Sequence, residues 1–276
     1  RHLYIGSEGT LGVITGATLK LVPQPAASGT AFAAVATLPD AVRLLQLAQA
    51  RLGAALTGFE VMNRQSLDLV RRHFAQLAHP LPPQPWTVLM EQSDSEGPSH
   101  ARAALESLLE TALERQLVGD AAIATSVEQS RSMWHLRESI PLAQSMQGPN
   151  IKHDIALPIS AIGDFVAATD AALASAFPGV RMVDFGHLGD GNLHYNVQPP
   201  DGADPHAYLR EHEHAVNNVV YDAVTRFGGS ISAEHGIGAL KRDELALRKS
   251  PVALALMRSI KRALDPLGVM NPGRVL

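Results

Sequence analysis

Two histidines lie on either side of a Gly-Asp-Gly turn in the stretch GHLGDGNLHYN, residues 186–196. An Asp-Gly pair favours a two-residue β-hairpin turn, and that turn would place His187 directly opposite His194. Directly opposed side chains share one face, with Cβ atoms about 4.5–5.5 Å apart, so the two imidazoles could bind one ion at about 2.0–2.1 Å each. Asn196, two residues beyond His194, is predicted to point to the same face.

A second motif, SAEHGIG, offers a carboxylate and another imidazole, Glu234 and His235. In a short strand, neighbouring side chains point to opposite sides, so only one of them can join the histidine pair. Two histidines and one glutamate, with positions left for water or substrate, form a ligand set suited to zinc or a related divalent ion. A polar hairpin face in solvent, without metal, is the simpler interpretation of His187 and His194, and it stays open at this point.

Two cations precede the hairpin in the sequence. Arg137 lies in a predicted helix over residues 131–146, and Lys152 lies in the predicted strand IKHDIALP. A single Arg or Lys is usually a solvated surface charge. Beside a divalent ion, however, the two would form a pocket suited to a substrate with carboxylate groups.

The composition is that of a globular protein: the 276 residues are 46% hydrophobic and 18% charged, with a formal net charge of −4. That charge gives no electrostatic reason for a nucleic acid or an anionic membrane as partner. The absence of cysteine excludes disulfides, thiolate metal sites and a cysteine nucleophile. No apolar run approaches the roughly 18–20 residues of a membrane span, which predicts a soluble protein. The start, RHLYIGSEGT, has neither Met nor a signal-peptide pattern, and we expect the chain to be part of a longer protein.

The pattern of elements predicts an α+β fold. Residues 3–5 and the segment ATLKLVP, residues 17–23, are predicted strands around a glycine-rich turn. Two β-α-β units follow, built from the strands GTAFAAVAT, LTGFEVMN, WTVLMEQS and AAIATS with amphipathic helices between them. Such units indicate a ferredoxin-like domain, with a large, mostly antiparallel sheet and helices packed on one face.

Four segments resemble one family in order along the chain: YIGSEGTLGVIT, GHLGDGNLHYN, AEHGIGALKRD and DPLGVMNPGRVL. They are similar to FAD-linked D-2-hydroxy-acid dehydrogenases of the vanillyl-alcohol-oxidase type, a family that includes D-2-hydroxyglutarate, D-lactate and glycolate dehydrogenases. The resemblance implies the terminal strand and turn of a truncated FAD-binding domain in residues 1–25. It further implies a substrate-binding cap domain in residues 26–260 and a tail in residues 261–276 that returns to the flavin. With most of the FAD-binding domain absent, we expect this chain to be inactive and free of flavin by itself.

The same resemblance implies roles for single residues. The expected ligands of a divalent metal, zinc first, are His187, His194 and Glu234. His235 would be the general base that takes the hydroxyl proton of the substrate, while FAD accepts a hydride. The expected substrate-binding residues are Arg137, Lys152 and Asn196. The expected flavin-binding residues are Gly6, Ser7, Gly9, Val13 and Asn271.

The identity of the 2-hydroxy acid is less determined. Where the hydroxyglutarate members of the family carry a Thr four residues after the Arg, this chain has Pro141, which removes a hydroxyl donor. Lys152, in contrast, suits a dicarboxylate, and we favour a dicarboxylic D-2-hydroxy acid as substrate.

Partners and location follow the same resemblance. The electron acceptor could be an electron-transfer flavoprotein, a quinone or a cytochrome. A homodimer is one expected assembly. The expected location is cytoplasmic or peripheral at a membrane. Two other functions stay open. One is a self-contained 2-His-1-Glu metallohydrolase, although no H-E-x-x-H helix supports it, and the other is a ferredoxin-like binding module without chemistry.

Overall fold

A computed structural model describes residues 1–276, which form two compact units. The sheet unit is Gln24–Ser230, and the terminal unit combines Arg1–Pro23 with Ile231–Leu276. The terminal unit thus includes residues 231–260, which the sequence analysis assigned to the cap domain.

The sheet unit is built on one seven-stranded sheet. Its strands in chain order are β1 Ala27–Val35, β2 Leu56–Asn63, β3 Trp86–Asp94, β4 Asp120–Ile123, β5 Asp154–Ala156, β6 Arg181–His187 and β7 Asn192–Gln198. They lie in the order β4-β1-β3-β2-β6-β7-β5, and every neighbouring pair is antiparallel. The predicted α+β fold with a large antiparallel sheet is confirmed.

The helices of the sheet unit are α1 Leu38–Leu52, α2 Arg64–His73, α3 Pro98–Glu114, α4 Val127–Glu138, α5 Ile140–Gln147, α6 Ile162–Ala176 and α7 Pro205–Arg226. Local capping sets several starts: the side chains of Thr37, Ser126 and Asp204 accept backbone N–H bonds in the first turns of α1, α4 and α7. The helix predicted over residues 131–146 is divided into α4 and α5. The reason is Pro141, which is tolerated only in the first turn of a helix.

Helices cover both faces of the sheet rather than the one face predicted. On one face, Thr30 in β1 hydrogen-bonds to Ser130 in α4 at 2.6 Å, and α2, α4 and α5 pack there around a core that includes Phe32. The neighbouring Gly29 points to the opposite face, where a Cβ would stand 2.8 Å from Leu105 of α3. The strand AFAAV in β1 is apolar at both alternating sets of positions, and strands of that kind are buried on both sides.

The terminal unit contains α8 Arg242–Arg248, α9 Pro251–Leu264 and long loops. Glu8, held at φ 52° in the N-terminal turn, accepts backbone N–H bonds from Ile237 and Gly238 at 2.6 and 2.7 Å. Asn271 in the C-terminal tail donates a hydrogen bond to the carbonyl oxygen of Glu8 at 2.6 Å. These bonds join the N-terminal turn, the AEHGIG loop and the tail into one body.

Three predicted strands do not form. Residues 3–5 lie in turns and residues 17–23 have no regular structure. Leu19 and Leu21 are 78% and 88% exposed, because no neighbouring strand supplies hydrogen-bond partners for this segment. The GSISAEHG segment contributes one isolated bridge, at Ser230, and bends follow it.

One segment, Ile159–Ala176, is long and apolar enough to cross a membrane by length and composition, with a mean hydropathy of 1.3. It contains α6, whose Phe165 and Leu173 are buried and whose Asp170 accepts a hydrogen bond from Tyr195 in β7 at 2.6 Å. A single segment that meets these two criteria is weak evidence, so it does not by itself indicate a membrane span.

Candidate functional site

The β6–β7 hairpin carries both histidines in a register that differs from the prediction. Leu188–Asp190 forms a 3₁₀ turn, and Gly191 follows in the left-handed conformation at φ 81°, so the connection is longer than two residues. As a result Phe185, rather than His187, pairs with His194. The register moves by an even number of residues, which keeps each side chain on its face. His187 and His194 are therefore diagonal neighbours, with ring centroids 6.3 Å apart and ring nitrogens within 4.8 Å of each other.

His187 is held by Glu60, a residue that the sequence analysis did not select. Glu60 lies opposite His187 in β2 and is 2% exposed. Its Oε1 lies 2.5 Å from Nδ1 of His187, and its Oε2 accepts a hydrogen bond from Nε of Arg137 at 2.8 Å.

These contacts decide the charge of Glu60 and the proton position on His187. Burial raises the pKa of Glu60, but the hydrogen bond from His187 and the charge of Arg137 outweigh burial and bring the pKa below its usual range. An ionised carboxylate only accepts hydrogen bonds. Nδ1 of His187 therefore carries a proton, so that whenever the imidazole is neutral its lone pair is on Nε2.

His194 lies beside a second buried carboxylate. Asp154 pairs with His194 across β5 and β7, and its Oδ1 lies 3.8 Å from Nδ1 of the imidazole. The same oxygen accepts a hydrogen bond from the side chain of Asn192 at 3.1 Å. Both histidines thus have an acidic side chain on the Nδ1 side; the Glu60–His187 contact is the hydrogen bond that usually accompanies a metal-binding histidine, whereas the Asp154–His194 contact is a longer ionic one.

Arg137 reaches the same face of the sheet from α4. It is 8% exposed, and its guanidinium carbon stands 4.9 Å from the centre of the Phe185 ring. Its Nε is bonded to Glu60, whereas its two terminal NH2 groups donate no hydrogen bond within the protein. Those two groups have the geometry to bind a carboxylate in a bidentate pair.

Asn196 and Lys152, the other two predicted substrate-binding residues, differ in their surroundings. Asn196 is buried, and its amide is engaged: Oδ1 accepts the backbone N–H of His153 at 3.1 Å, and Nδ2 donates to Gln144 at 3.0 Å. Lys152 is exposed, just before β5, and makes no hydrogen bond or ion pair. The sheet unit therefore brings Arg137 to the histidine pair, gives Asn196 structural contacts and leaves Lys152 in solvent.

A cleft of about 330 Å³ opens beside His187 and Glu60. Residues of α1 and β2 form its other walls, and Asp190 of the hairpin turn lines it as well. No lysine or arginine contributes to this lining. Because like charges repel, the cleft does not suit a carboxylate, and we expect substrate carboxylates on the Arg137 side of the site.

In the terminal unit, Glu234 and His235 are exposed and lie in a loop. Because these two residues do not lie in a strand, strand alternation does not set the directions of their side chains. Gly6 and Gly9 adopt φ of 77° and 72° in the N-terminal turn, and the backbone N–H groups of Gly6, Glu8 and Gly9 donate no hydrogen bond within the protein. N–H groups presented by such a turn form a concave site for anionic oxygens.

The remaining predicted flavin-binding residues belong to the same unit as this turn. Ser7 accepts the hydroxyl of Thr10 through its carbonyl oxygen at 2.6 Å, which closes the turn. Val13 is 75% exposed. Asn271 adopts φ 41° and is tied to the turn by its bond to Glu8.

The chain is similar to known proteins over its whole length. Residues 24–275 match the family model described as "FAD linked oxidases, C-terminal domain". The chain is 37% identical to the mitochondrial D-2-hydroxyglutarate dehydrogenase of Bos taurus, over 100% of this chain and 49% of that protein. It is 38% identical to the D-2-hydroxyglutarate dehydrogenase of Xanthomonas citri pv. viticola, over 100% of this chain and 57% of that protein. The chain thus spans about half the length of these relatives.

Two solved structures have a similar fold. p-Cresol methylhydroxylase with substrate bound has a TM-score of 0.66 at 13% identity, over 92% of this chain and 53% of that one. 4-Ethylphenol oxidase from Gulosibacter chungangensis has a TM-score of 0.60 at 16% identity, over 93% and 55%. At such low identities the likeness concerns the fold alone.

Proposed function

The chain belongs to the family of FAD-linked oxidases, C-terminal domain, and we propose that it is the substrate- and metal-binding part of an FAD-dependent dehydrogenase. The resemblance carried by the four motifs is confirmed at the level of the family. The proposed reaction is oxidation of a D-2-hydroxy acid to the 2-oxo acid, and the relatives named D-2-hydroxyglutarate dehydrogenase support that substrate class. The observation that carries the proposal is the buried Glu60, which binds His187 and Arg137 at once.

The proposed ligands of a divalent ion, zinc first, are His187, His194 and Glu234. The histidines fit such an ion because their ring nitrogens lie within 4.8 Å of each other and a buried carboxylate lies on the Nδ1 side of each ring. Bound there, a divalent ion would act as a Lewis acid on the α-hydroxyl of the substrate and make its proton easier to remove.

The cationic residues have separate proposed tasks. Arg137 binds the substrate's carboxylate through its terminal NH2 groups, because its Nε is already bonded to Glu60. The flexible, exposed Lys152 pairs with a second carboxylate, which favours a dicarboxylic substrate. Asn196 holds His153 and Gln144 through one bond at Oδ1 and one at Nδ2, and its second N–H and second oxygen lone pair are the proposed contacts with substrate. His235 takes the hydroxyl proton.

The N-terminal turn fits an anionic part of FAD, because the N–H groups of Gly6, Glu8 and Gly9 have no partner in the protein. The proposed flavin-binding residues remain Gly6, Ser7, Gly9, Val13 and Asn271. When bound, FAD supplies the oxidant, accepting the hydride that leaves Cα of the substrate. Turnover then requires an electron acceptor outside this chain.

The metal content of the chain tests the proposal. Wild type, His194→Ala and the matched control His206→Ala are freed of metal with a chelator, incubated with zinc or manganese, and analysed for bound metal. His206 suits the control because it is an exposed histidine at the start of α7. We expect near-stoichiometric metal in wild type and in the control, and its loss in His194→Ala.

Substrate binding gives an independent test of the same proposal. Titration calorimetry of the zinc-loaded chain with D- and L-2-hydroxyglutarate should show binding of the D-enantiomer and its loss in Arg137→Met. Equal affinity for the two enantiomers, or metal retained in full by His194→Ala, would contradict the proposed site.

A further inference from the structure

Glu60 connects the two halves of the proposed site, the histidine pair and the substrate-binding arginine. We infer that Glu60 is the positioning residue of this site: it fixes His187 as the tautomer that can bind a metal and aims the guanidinium of Arg137 at the substrate. The inference rests on the proposed function and extends it to a residue that touches neither metal nor substrate.

The geometry gives each oxygen of Glu60 one task. Oε1 accepts Nδ1–H of His187 at 2.5 Å, so the neutral form of this imidazole has its lone pair on Nε2, the nitrogen farther from Glu60. Oε2 accepts Nε–H of Arg137 at 2.8 Å, and neither terminal NH2 group of the guanidinium donates a hydrogen bond within the protein. One carboxylate thereby orients both functional groups.

The surroundings keep Glu60 in place. Its side chain is 3% exposed, and it stands in β2 between β3 and β6. Two residues further along the same strand, and on the same face of the sheet, Met62 is packed in the core with residues of α2, α4 and α5. A residue so confined exposes almost none of its surface to the cleft beside it, and both of its oxygens are engaged, one by His187 and one by Arg137.

Only a carboxylate satisfies both neighbours. A glutamine at this position would have a single accepting oxygen and one NH2 group, which is a donor. Directed at Arg137, that NH2 group would face another donor. Directed at His187, it would require Nδ1 to accept, which moves the imidazole proton to Nε2 and blocks metal binding there. Glu60→Gln, nearly equal in shape, therefore removes the positioning while conserving volume.

The first experiment compares zinc affinity in wild type, Glu60→Gln and the control Glu91→Gln, by competition with a chelating dye. Glu91 is a matched control because it lies in the adjacent strand β3 and accepts a hydrogen bond from Trp134 of α4 at 2.7 Å, on the same face of the sheet. Outer carboxylates of metal-binding histidines contribute about 10–100-fold to affinity. We expect a loss of that size in Glu60→Gln and none in Glu91→Gln.

The second experiment reads the tautomer directly, without metal. Long-range ¹H–¹⁵N spectra of the chain labelled at histidine, with His187 assigned through His187→Ala, should show His187 protonated at Nδ1 in wild type. In Glu60→Gln, if folded by circular dichroism, the proton should move to Nε2 or exchange between the two nitrogens.

The two experiments separate this inference from the proposed function. Wild type that binds no zinc but shows the Nδ1–H tautomer contradicts the metal site and leaves the role of Glu60 supported. Wild type with His187 protonated at Nε2 overturns the inference, whether or not Glu60→Gln folds. Unchanged zinc affinity in a folded Glu60→Gln protein overturns it as well.

Discussion

Replacing Gly191 with alanine should strongly destabilise the hairpin that carries both histidines. Gly191 has φ 81°, and a Cβ there would stand 2.2 Å from the carbonyl oxygen of Leu157, where ordinary contact begins at 3.4 Å. The clash would also displace the backbone bond from Leu157 N–H to the carbonyl oxygen of Gly191, which is 2.9 Å long. The variant therefore combines a strained backbone, overpacking against a main-chain atom and a weakened hydrogen bond.

A second glycine provides the control that separates these effects. Gly202 has φ 83°, nearly the same conformation, but no atom lies within 4 Å of a Cβ built there. Gly202→Ala should cost only the left-handed backbone, about 1 kcal/mol. Gly191→Ala adds about 1–3 kcal/mol for overpacking and about 1 kcal/mol for the hydrogen bond, so its total is about 3–5 kcal/mol.

Urea unfolding followed by far-UV circular dichroism measures both free energies of unfolding, and zinc binding is measured on the same samples. We expect Gly202→Ala to bind zinc as wild type does and Gly191→Ala to bind it more weakly, because the 3₁₀ turn sets the spacing of His187 and His194. Equal losses of stability in the two variants, to within about 0.5 kcal/mol, would show that the close approach of Leu157 to Gly191 does not exist.

Two further predictions concern stability against pH and substrate choice. Burial, followed by the charge of Asp170, raises the pKa of Asp184 well above its ordinary value of 3.8. The folded protein therefore holds this proton to higher pH than the unfolded chain does. With respect to this group, wild type is most stable below pH 3.8 and loses stability as the pH rises towards the folded-state pKa. Asp184→Asn should remove that loss, which has a limiting slope of about 1.4 kcal/mol per pH unit. Urea unfolding of wild type and Asp184→Asn between pH 4 and 8 measures the difference. Parallel plots of unfolding free energy against pH would contradict the burial of a protonated carboxyl. Pro141 is exposed in the first turn of α5 and stands where hydroxyglutarate-type members are expected to carry threonine. Pro141→Thr should strengthen D-2-hydroxyglutarate binding about fivefold, the equivalent of one hydrogen bond of about 1 kcal/mol. The same calorimetric titration should show unchanged binding of D-lactate.

Elements with strong local signals could be predicted from the sequence. The segment LTGFEVMN coincides with β2, Leu56–Asn63, because a mainly apolar stretch of strand length ends at Asn63, the N-cap of α2. The start of α7 follows from Asp204 and Pro205, whose capping bond and fixed φ act within a single turn. In these cases the determining contacts lie within a few residues.

The hairpin register could not be predicted in that way. Asp190 and Gly191 favour a two-residue turn locally, but strands on both sides decide the pairing: Glu60 in β2 opposes His187, and Asp154 in β5 opposes His194. These partner residues are distant in sequence. The register therefore depends on cross-strand pairing as well as on the turn residues, which by themselves favour a two-residue connection. The strand predicted at residues 17–23 does not form for a related reason. Alternating apolar residues favour a strand, but a strand also needs a neighbouring strand for its hydrogen bonds, and the local sequence does not show whether one is present.

The residues that the sequence analysis missed share a recognisable signal. Glu60 and Asp154 are single acids inside otherwise apolar strands, GFEVM and HDIAL, where an acid is costly to bury without partners. An isolated acid of this kind predicts a buried basic or imidazole partner, although the sequence does not say which. The structure supplies that partner for Glu60 in His187 and Arg137.

The energetic cost of this arrangement argues for function rather than for stability. A buried ion pair such as Glu60 with Arg137 gains little over apolar side chains of the same volume, because both charges lose their hydration. The pair nevertheless lies beside apolar side chains, because the guanidinium of Arg137 stands 4.9 Å from the centre of the Phe185 ring, and Phe185 belongs to the same buried core as Met133 and Leu136. Fold stability therefore does not explain why the charges are there. The presence of the charges is explained if one carboxylate must orient both an imidazole and a guanidinium at the same point. No apolar side chain could orient either group.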